Sequence, residues 1–208
     1  QFGVSVQETE KGYRLSGPQT YAGTDGAVET DWSQAAFWYG ANLLGGQVEI
    51  LNLNRSSAQG DMRVVPYSRQ LARPGDVALD VSQCPDLVPP LAAMAAVRTG
   101  ECRLTNAARL RLKESDRLAT VTQTLRALGA AVEEGADSLT FHGLPALEGG
   151  AAVDCCNDHR IAMMAAVAAC ACRRPVTLLG AECVNKSYPG FWEDYRQLGG
   201  DLDVLISG

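Results

Sequence analysis

The chain has 208 residues and a formal net charge of −6; 46% of the residues are hydrophobic, 20% charged and 6% aromatic. Mixed charges among apolar runs describe a globular protein and exclude a disordered one, which needs fewer apolar residues or far more net charge. No apolar stretch reaches the ~18 residues of a membrane span, since the run 161–172 is stopped by Arg173 and Arg174, and the negative balance argues against nucleic-acid binding.

Residues 1–25 read as a hairpin, with arms over 3–7 and 12–16, followed by a Gly/Pro/Thr-rich linker. The chain opens on Gln1 rather than methionine, as a trimmed product or fragment would, and no signal peptide is expected. From residue 26 onward one pattern occurs three times: strand, Asp, buried helix, tight turn, strand. The first copy runs from Gly26 through Asp31 to an apolar helix over 35–44 and a strand over 48–53. The second runs from Gly75 through Asp80 to a helix over 87–97 and a strand over 102–105. The third runs from Gly150 through Asp154 to a helix over 161–172, a turn at Arg173-Arg174-Pro175 and a strand over 176–179.

An amphipathic second helix is expected after each unit. In the middle copy Leu118, Val121, Leu125 and Leu128 fall on one face, Gly129 marks the stop, and a hairpin over 132–134 and 138–141 follows. The third copy has a helix over 191–198 and a strand over 202–206. Asp31 lies closer to Asp80 than Asp80 does to Asp154, so the first copy is read as shortened, its hairpin lost. Helices that are apolar all round must be covered on every side. The fold class is therefore α/β of the α+β type: three βαβαββ-like repeats, about 26–74, 75–149 and 150–208, with helices inward and sheets outward.

The seven cysteines, Cys84, Cys102, Cys155, Cys156, Cys170, Cys172 and Cys183, form no C-x-x-C pair. They read as reduced thiols serving as small core hydrophobes, which implies a cytoplasmic location. With only His142 and His159 alongside, no metal site is expected.

The chemistry gathers at helix starts. Arg109, Arg111, Lys113 and Arg117 cluster where the helix dipole disfavours cations, which suggests an anionic ligand; the alternative is a solvated helix start capped by Ser115 or Asp116. Lys113 and Arg117, four apart, are expected on one helical face, with Glu114 on a neighbouring one. In Asn157-Asp158-His159-Arg160 either of the first two residues can cap, but a cap does not account for Arg160 entering an apolar helix. His159 alone reads as a hydrogen-bonded structural residue. Asn185-Lys186-Ser187-Tyr188-Pro189 is expected at another helix start, and Asp86, at the head of the helix over 87–97, is either a cap or part of the site. Asp86, Lys113, Arg160 and Lys186 occupy equivalent positions in successive units, and such positions converge on one face.

The strings Arg111-Leu112-Lys113-Glu114-Ser115-Asp116-Arg117-Leu118, Asn157-Asp158-His159-Arg160-Ile161-Ala162-Met163 and Asn185-Lys186-Ser187-Tyr188-Pro189 closely resemble signatures of the 5-enolpyruvylshikimate-3-phosphate synthase family, the 3-phosphoshikimate 1-carboxyvinyltransferases. The resemblance implies an enolpyruvyl transferase-like fold, an inverse α/β barrel. In it residues 1–25 would be left over from an N-terminal domain and 26–208 would form the C-terminal domain. It also implies transfer of the enolpyruvyl group of phosphoenolpyruvate to the 5-hydroxyl of shikimate 3-phosphate, with release of phosphate and no metal or organic cofactor.

By motif match, Arg117, Arg160 and Lys186 would hold phosphoenolpyruvate, while Asp86 and Lys113 would contact shikimate 3-phosphate. Asp86 would accept the proton of the attacking hydroxyl and Glu114 would shuttle a proton at the substrate methylene, with Lys113 coupled to both and His159 and Asn157 in support. Where some relatives place an Asn on shikimate 3-phosphate, this chain has Arg109, so that contact is not carried over. The family's N-terminal Lys, Arg, Ser and Gln contacts come from segments outside this sequence. The expected partners are the two substrates and the N-terminal domain, with no nucleic acid, no membrane and a monomeric state; the isolated chain is expected to be inactive. Two other readings stand beside this one: a relative acting on a UDP-amino sugar, and a non-catalytic anion-binding or assembly domain of the same fold.

Overall fold

A computed structural model describes residues 2–205. It divides into two compact units, Gln1–Thr30 and Asp31–Gly208. In the first, β1 (Val6–Thr9) and β2 (Gly12–Leu15) form an antiparallel hairpin with Val6 opposite Leu15 and Thr9 opposite Gly12. Gly12 sits at φ 141°, which a residue with a Cβ rarely adopts. The Gln19 side chain closes the unit, accepting from the Ser5 N–H at 2.7 Å and donating to the Ser16 carbonyl at 2.6 Å. The first arm begins at Val6, later than expected, and the strand expected before Asp31 does not form: Val28 is exposed, so alternation there has no face to bury.

The second unit is built around three buried helices. α1 (Trp32–Leu43) starts where the Asp31 carboxylate accepts the Ser33 N–H at 2.7 Å. α2 (Val64–Leu71) lays Val64, Tyr67 and Leu71 against the core. α3 (Val88–Ala96) is buried along its whole length. α4 (Arg117–Ala127) buries Leu118, Val121 and Leu125, as its spacing predicts, and Leu128 follows them. α5 (His159–Ala169) is buried through Ala168. α1, α3 and α5 pack on one another, α2 covers α1 and α3, and α4 covers α3 and α5. Each fully buried Leu or Val stabilises this arrangement by roughly 1.5–3 kcal/mol relative to exposure. Gly129, at φ 96°, ends α4; a Cβ there would come within 3.2 Å of the Glu148 backbone nitrogen.

The sheets of this unit come from the second and third repeats. β3 (Val77–Asp80) pairs in parallel with β4 (Glu101–Thr105), the crossover running through α3. The hairpin of β5 (Ala131–Glu134) and β6 (Leu139–His142) adds antiparallel to β4, giving the order β3-β4-β6-β5. β7 (Leu147–Gly149), closing the second repeat, pairs in parallel with β9 (Cys172–Arg174) of the third, and within the third β8 (Ala152–Asp154) pairs in parallel with β10 (Thr177–Leu179) across α5. α6 (Phe191–Gln197) closes the fold, Phe191 meeting Trp38 with ring centroids 5.5 Å apart.

Four further expectations fail. Residues 48–53 form no strand because the Asn42 side chain donates to the Val48 carbonyl at 2.8 Å and accepts its N–H at 2.6 Å, satisfying that backbone without a ladder. The helix expected over 161–172 stops at Ala169, and Cys172–Arg174, read as the edge of a turn, is β9. No strand covers residues 202–205; the rest of that expected strand, Ile206, lies outside the described residues. All seven thiols are free, but Cys170 is exposed and Cys156 and Cys172 only partly covered, so core filling describes Cys84, Cys102, Cys155 and Cys183. Burial pushes the thiols of Cys102 and Cys155 up to about 12.

One buried cation ties the first two repeats together. The Arg98 guanidinium donates to the carbonyls of Glu101 at 2.7 Å, Arg73 at 2.9 Å, Gly75 at 2.5 Å and Leu71 at 3.4 Å. It thereby binds the end of α2, the turn before β3 and the start of β4.

Candidate functional site

The signature segments of the second and third repeats meet on one carboxylate. Asp86 lies inside a 3-10 turn, Pro85–Leu87, and the cap position of α3 is Leu87, with no side-chain cap hydrogen bond, so the capping alternative fails. Its Oδ1 instead receives Lys113 Nζ at 2.9 Å and Arg117 Nη1 at 2.8 Å, and its Oδ2 faces Arg160 Nη2 at 3.4 Å. Arg160 Nη1 also donates to the Asp86 carbonyl at 3.2 Å. Burial alone would raise the Asp86 pKa, but Arg160, Lys113 and Arg117 outweigh it and hold the carboxyl below the usual carboxylate range.

Arg117 is the hub. It opens α4, is only 1% exposed, and spends its whole fork on acids: Nε on Asp158 Oδ2 at 2.8 Å, Nη2 on Asp158 Oδ1 at 3.1 Å and on Glu114 Oε2 at 2.5 Å, besides Asp86. Asp158 is fully buried; it also accepts the Arg160 backbone N–H at 3.0 Å, capping α5, and the Ser115 hydroxyl at 2.9 Å. Burial would push the Asp158 pKa up, yet the Arg117 fork and the cap hold it low. Sequence reasoning offered Asp158 only as one of two possible caps, beside Asn157. The signal that could have found its second role is the pair of arginines entering buried helices, since a buried guanidinium requires a buried anion.

The remaining candidates sort by what they touch. Lys113 and Arg117 do not share a helical face, because Lys113 is extended at the end of the 3-10 turn Ala108–Leu112 and α4 begins only at Arg117; they meet through Asp86. Asp116, not Ser115, caps α4, accepting the Ala119 N–H at 3.2 Å. Arg111 leaves the anion-binding set: it pairs with Asp116 at 2.8 Å and Glu134 at 3.0 Å and so pins the β5–β6 hairpin to the start of α4. Arg109 is exposed.

Lys186 is not at a helix start; it closes the 3-10 helix Ala181–Lys186, with α6 beginning at Phe191. Its Nζ donates to the Asn157 carbonyl at 2.8 Å and to Oδ1 at 2.5 Å, so Lys186 reaches the cluster through the residue preceding Asp158. Ser187 beside it accepts from Gln34 of α1. His159 is buried, with Nδ1 lacking a hydrogen-bond partner among the described residues, so the expected hydrogen-bonded role is not seen at that nitrogen. Burial and then Arg160 push its pKa below the ordinary imidazole value.

Asp61, which the sequence did not single out, accepts the Ser33 hydroxyl; burial pushes its pKa up against that hydrogen bond and the Arg160 charge. Among the described residues no three His, Cys, Asp or Glu side chains are grouped to hold a metal ion, and no helix is long and apolar enough to cross a membrane.

The site thus presents three cations, Lys113, Arg117 and Arg160, on one carboxylate, with Glu114 and Lys186 at its margin. The family model for EPSP synthase (3-phosphoshikimate 1-carboxyvinyltransferase) matches residues 1–73 and 66–195. The 3-phosphoshikimate 1-carboxyvinyltransferase of Clostridium kluyveri is 44% identical across 100% of this chain and 52% of its own length; that of Clostridium acetobutylicum is 43% identical across 97% and 50%. The chain therefore spans about half the length of the curated relatives it matches. An EPSP synthase structure from Acinetobacter baumannii superposes with a TM-score of 0.79 at 25% identity, covering 96% of this chain and 52% of that one. The enolpyruvyl transferase NikO from Streptomyces tendae shares the fold, at a TM-score of 0.64 and 16% identity over 96% of this chain and 51% of that one. With a family model matching most of its length and relatives this similar over nearly all of it, the chain belongs to the EPSP synthase family.

Proposed function

We propose that this chain supplies the C-terminal wall of a 3-phosphoshikimate 1-carboxyvinyltransferase site, where phosphoenolpyruvate and shikimate 3-phosphate react with release of phosphate. The observation that carries this reading is the convergence of Lys113, Arg117 and Arg160 on Asp86. Two substrates, each bearing a carboxylate and a phosphate, require clustered cations on an otherwise acidic protein. The planar forks of Arg117 and Arg160 suit phosphoenolpyruvate, together with Lys186, while Lys113 and Asp86 face shikimate 3-phosphate.

The same convergence explains how Asp86 becomes a base. With three cations on it the carboxyl is a poor proton acceptor. Substrate anions that engage those cations compensate their charge, so the proton affinity of Asp86 rises when the hydroxyl it must deprotonate is in place. Glu114, 45% exposed and joined to the cluster through Arg117 Nη2, is the more open carboxylate suited to carry a proton to and from the substrate methylene. Domain boundaries near residues 25 and 26, a monomeric state, a complementary N-terminal domain and inactivity of the isolated chain belong to the same proposal.

The test is phosphate release from the two substrates by this chain alone and mixed with the complementary N-terminal half of a clostridial relative. Turnover is expected only in the mixture and is lost with Asp86→Asn. Turnover by the chain alone would overturn the two-wall reading. Phosphoenolpyruvate binding that survives Arg160→Ala in the mixture would overturn the assignment of its site.

A further inference from the structure

Asp158 makes contacts that neither capping nor substrate binding accounts for. It is fully buried, and both oxygens are used twice: Oδ2 receives Arg117 Nε at 2.8 Å and the Ser115 hydroxyl at 2.9 Å, while Oδ1 receives Arg117 Nη2 at 3.1 Å and the Arg160 N–H at 3.0 Å. The Nε edge of Arg117 is held by Asp158, whereas the Nη1 and Nη2 atoms also reach the more exposed Asp86 and Glu114. Ser115 is locked in turn, its hydroxyl lying 3.1 Å from that of Thr120. One carboxylate therefore joins two segments more than forty positions apart and carries an arginine of the site on each.

We propose that Asp158 is a positioning residue that fixes the Arg117 side chain and the start of α5 together, and so sets the spacing of the Arg117 and Arg160 guanidinia before any anion arrives. The inference rests on the reading above only in taking those two arginines as the phosphoenolpyruvate clamp. The geometry itself stands without it. A guanidinium clamp set in advance avoids the ordering cost of a free side chain on binding. Asp86 and Glu114, by contrast, are the more exposed partners of Nη1 and Nη2, where ligand oxygens could replace them.

Arg117 Nε–H is a spectroscopic reporter of this contact, because Asp158 is its acceptor. In the ligand-free chain its exchange with solvent, followed by nuclear magnetic resonance, should be at least ~100-fold slower than that of exposed Arg14, as for a group released only by local opening. Asp158→Ser keeps a side-chain cap for α5 but removes the fork. The expected result is rapid exchange at Arg117 Nε–H with the Arg160 amide still protected and phosphoenolpyruvate affinity, by calorimetry, reduced at least tenfold. Glu114→Gln should leave the Nε–H slow. Unchanged slow exchange in Asp158→Ser would overturn the proposal. So would loss of protection at Nε–H and the Arg160 amide together, which marks a role in folding alone. If the variant does not fold, the wild-type spectrum decides, since exchange as fast as that of Arg14 overturns the proposal. Selective loss of Nε–H protection without any phosphoenolpyruvate binding in the wild type would support Asp158 as the positioning group while removing the substrate reading.

Discussion

The two edges of the Arg117 guanidinium are held by carboxylates of opposite character. On the Nε edge Asp158 is fully buried, caps a helix and accepts a serine. On the other nitrogens Asp86 is 29% exposed and shared among three cations, and Glu114 is still more open. The same ion-pair chemistry is fixed where desolvation makes an unpaired charge intolerable and exchangeable where water can replace a partner. One side chain can therefore belong to the scaffold and to the site at once.

The sharpest way to break this contrast is Arg117→Met, which strands Asp158 as a buried anion. It should lower the unfolding free energy by ~3–5 kcal/mol in urea denaturation. A loss near that of an exposed pair would erase the distinction between the two edges. Asp86→Asn removes the shared outer charge and should cost only about 1–2 kcal/mol. It should also make the protein gain more thermal stability from added phosphate than wild type does, because Lys113 and Arg160 then lose the carboxylate they pair with, while Arg117 keeps Asp158 and Glu114. Glu114→Gln should change stability by less than about 1 kcal/mol.

Smaller still, acid separates the carboxylates by the sign of their shifts. Asp86 and Asp158 are held low, so their contribution is present above the unfolded value of 3.8 and is lost as pH falls through their folded values. Asp61 is raised, so its ionisation costs stability as pH rises above 3.8 and through its folded value. Asp61→Asn should therefore be more stable than wild type near neutrality, with the difference vanishing toward pH 3.8 in a denaturation series. A difference that grows on acidification would reverse the assignment.

What the sequence disclosed follows the same division between apolar and polar logic. The helices were legible because residues 88–96 and 161–168 are apolar on every face, and the middle repeat because its strands alternate and Gly129 punctuates it. The strand expected over 48–53 yields partly to a competitor outside its own residues, the side chain of Asn42, and partly to Asn52, which sits at φ 60°. The site was legible as a set of residue types at matching positions. Its wiring was not: Arg111 looks like Lys113 in sequence yet serves the β5–β6 hairpin, and Asp158 looks like an ordinary cap. A shared acceptor is a property of distance across the fold, which spacing along a chain does not encode.

Arg98 has a bearing on the order in which the molecule would come apart. Its four acceptors are peptide carbonyls, which do not change charge on acidification, whereas the cations of the site lean on carboxylates that do. Falling pH should therefore loosen the ion pairs around Arg117 while the joint between the first two repeats still holds. The result would be a folded form whose guanidinia have lost their carboxylate partners, at acidity short of global unfolding.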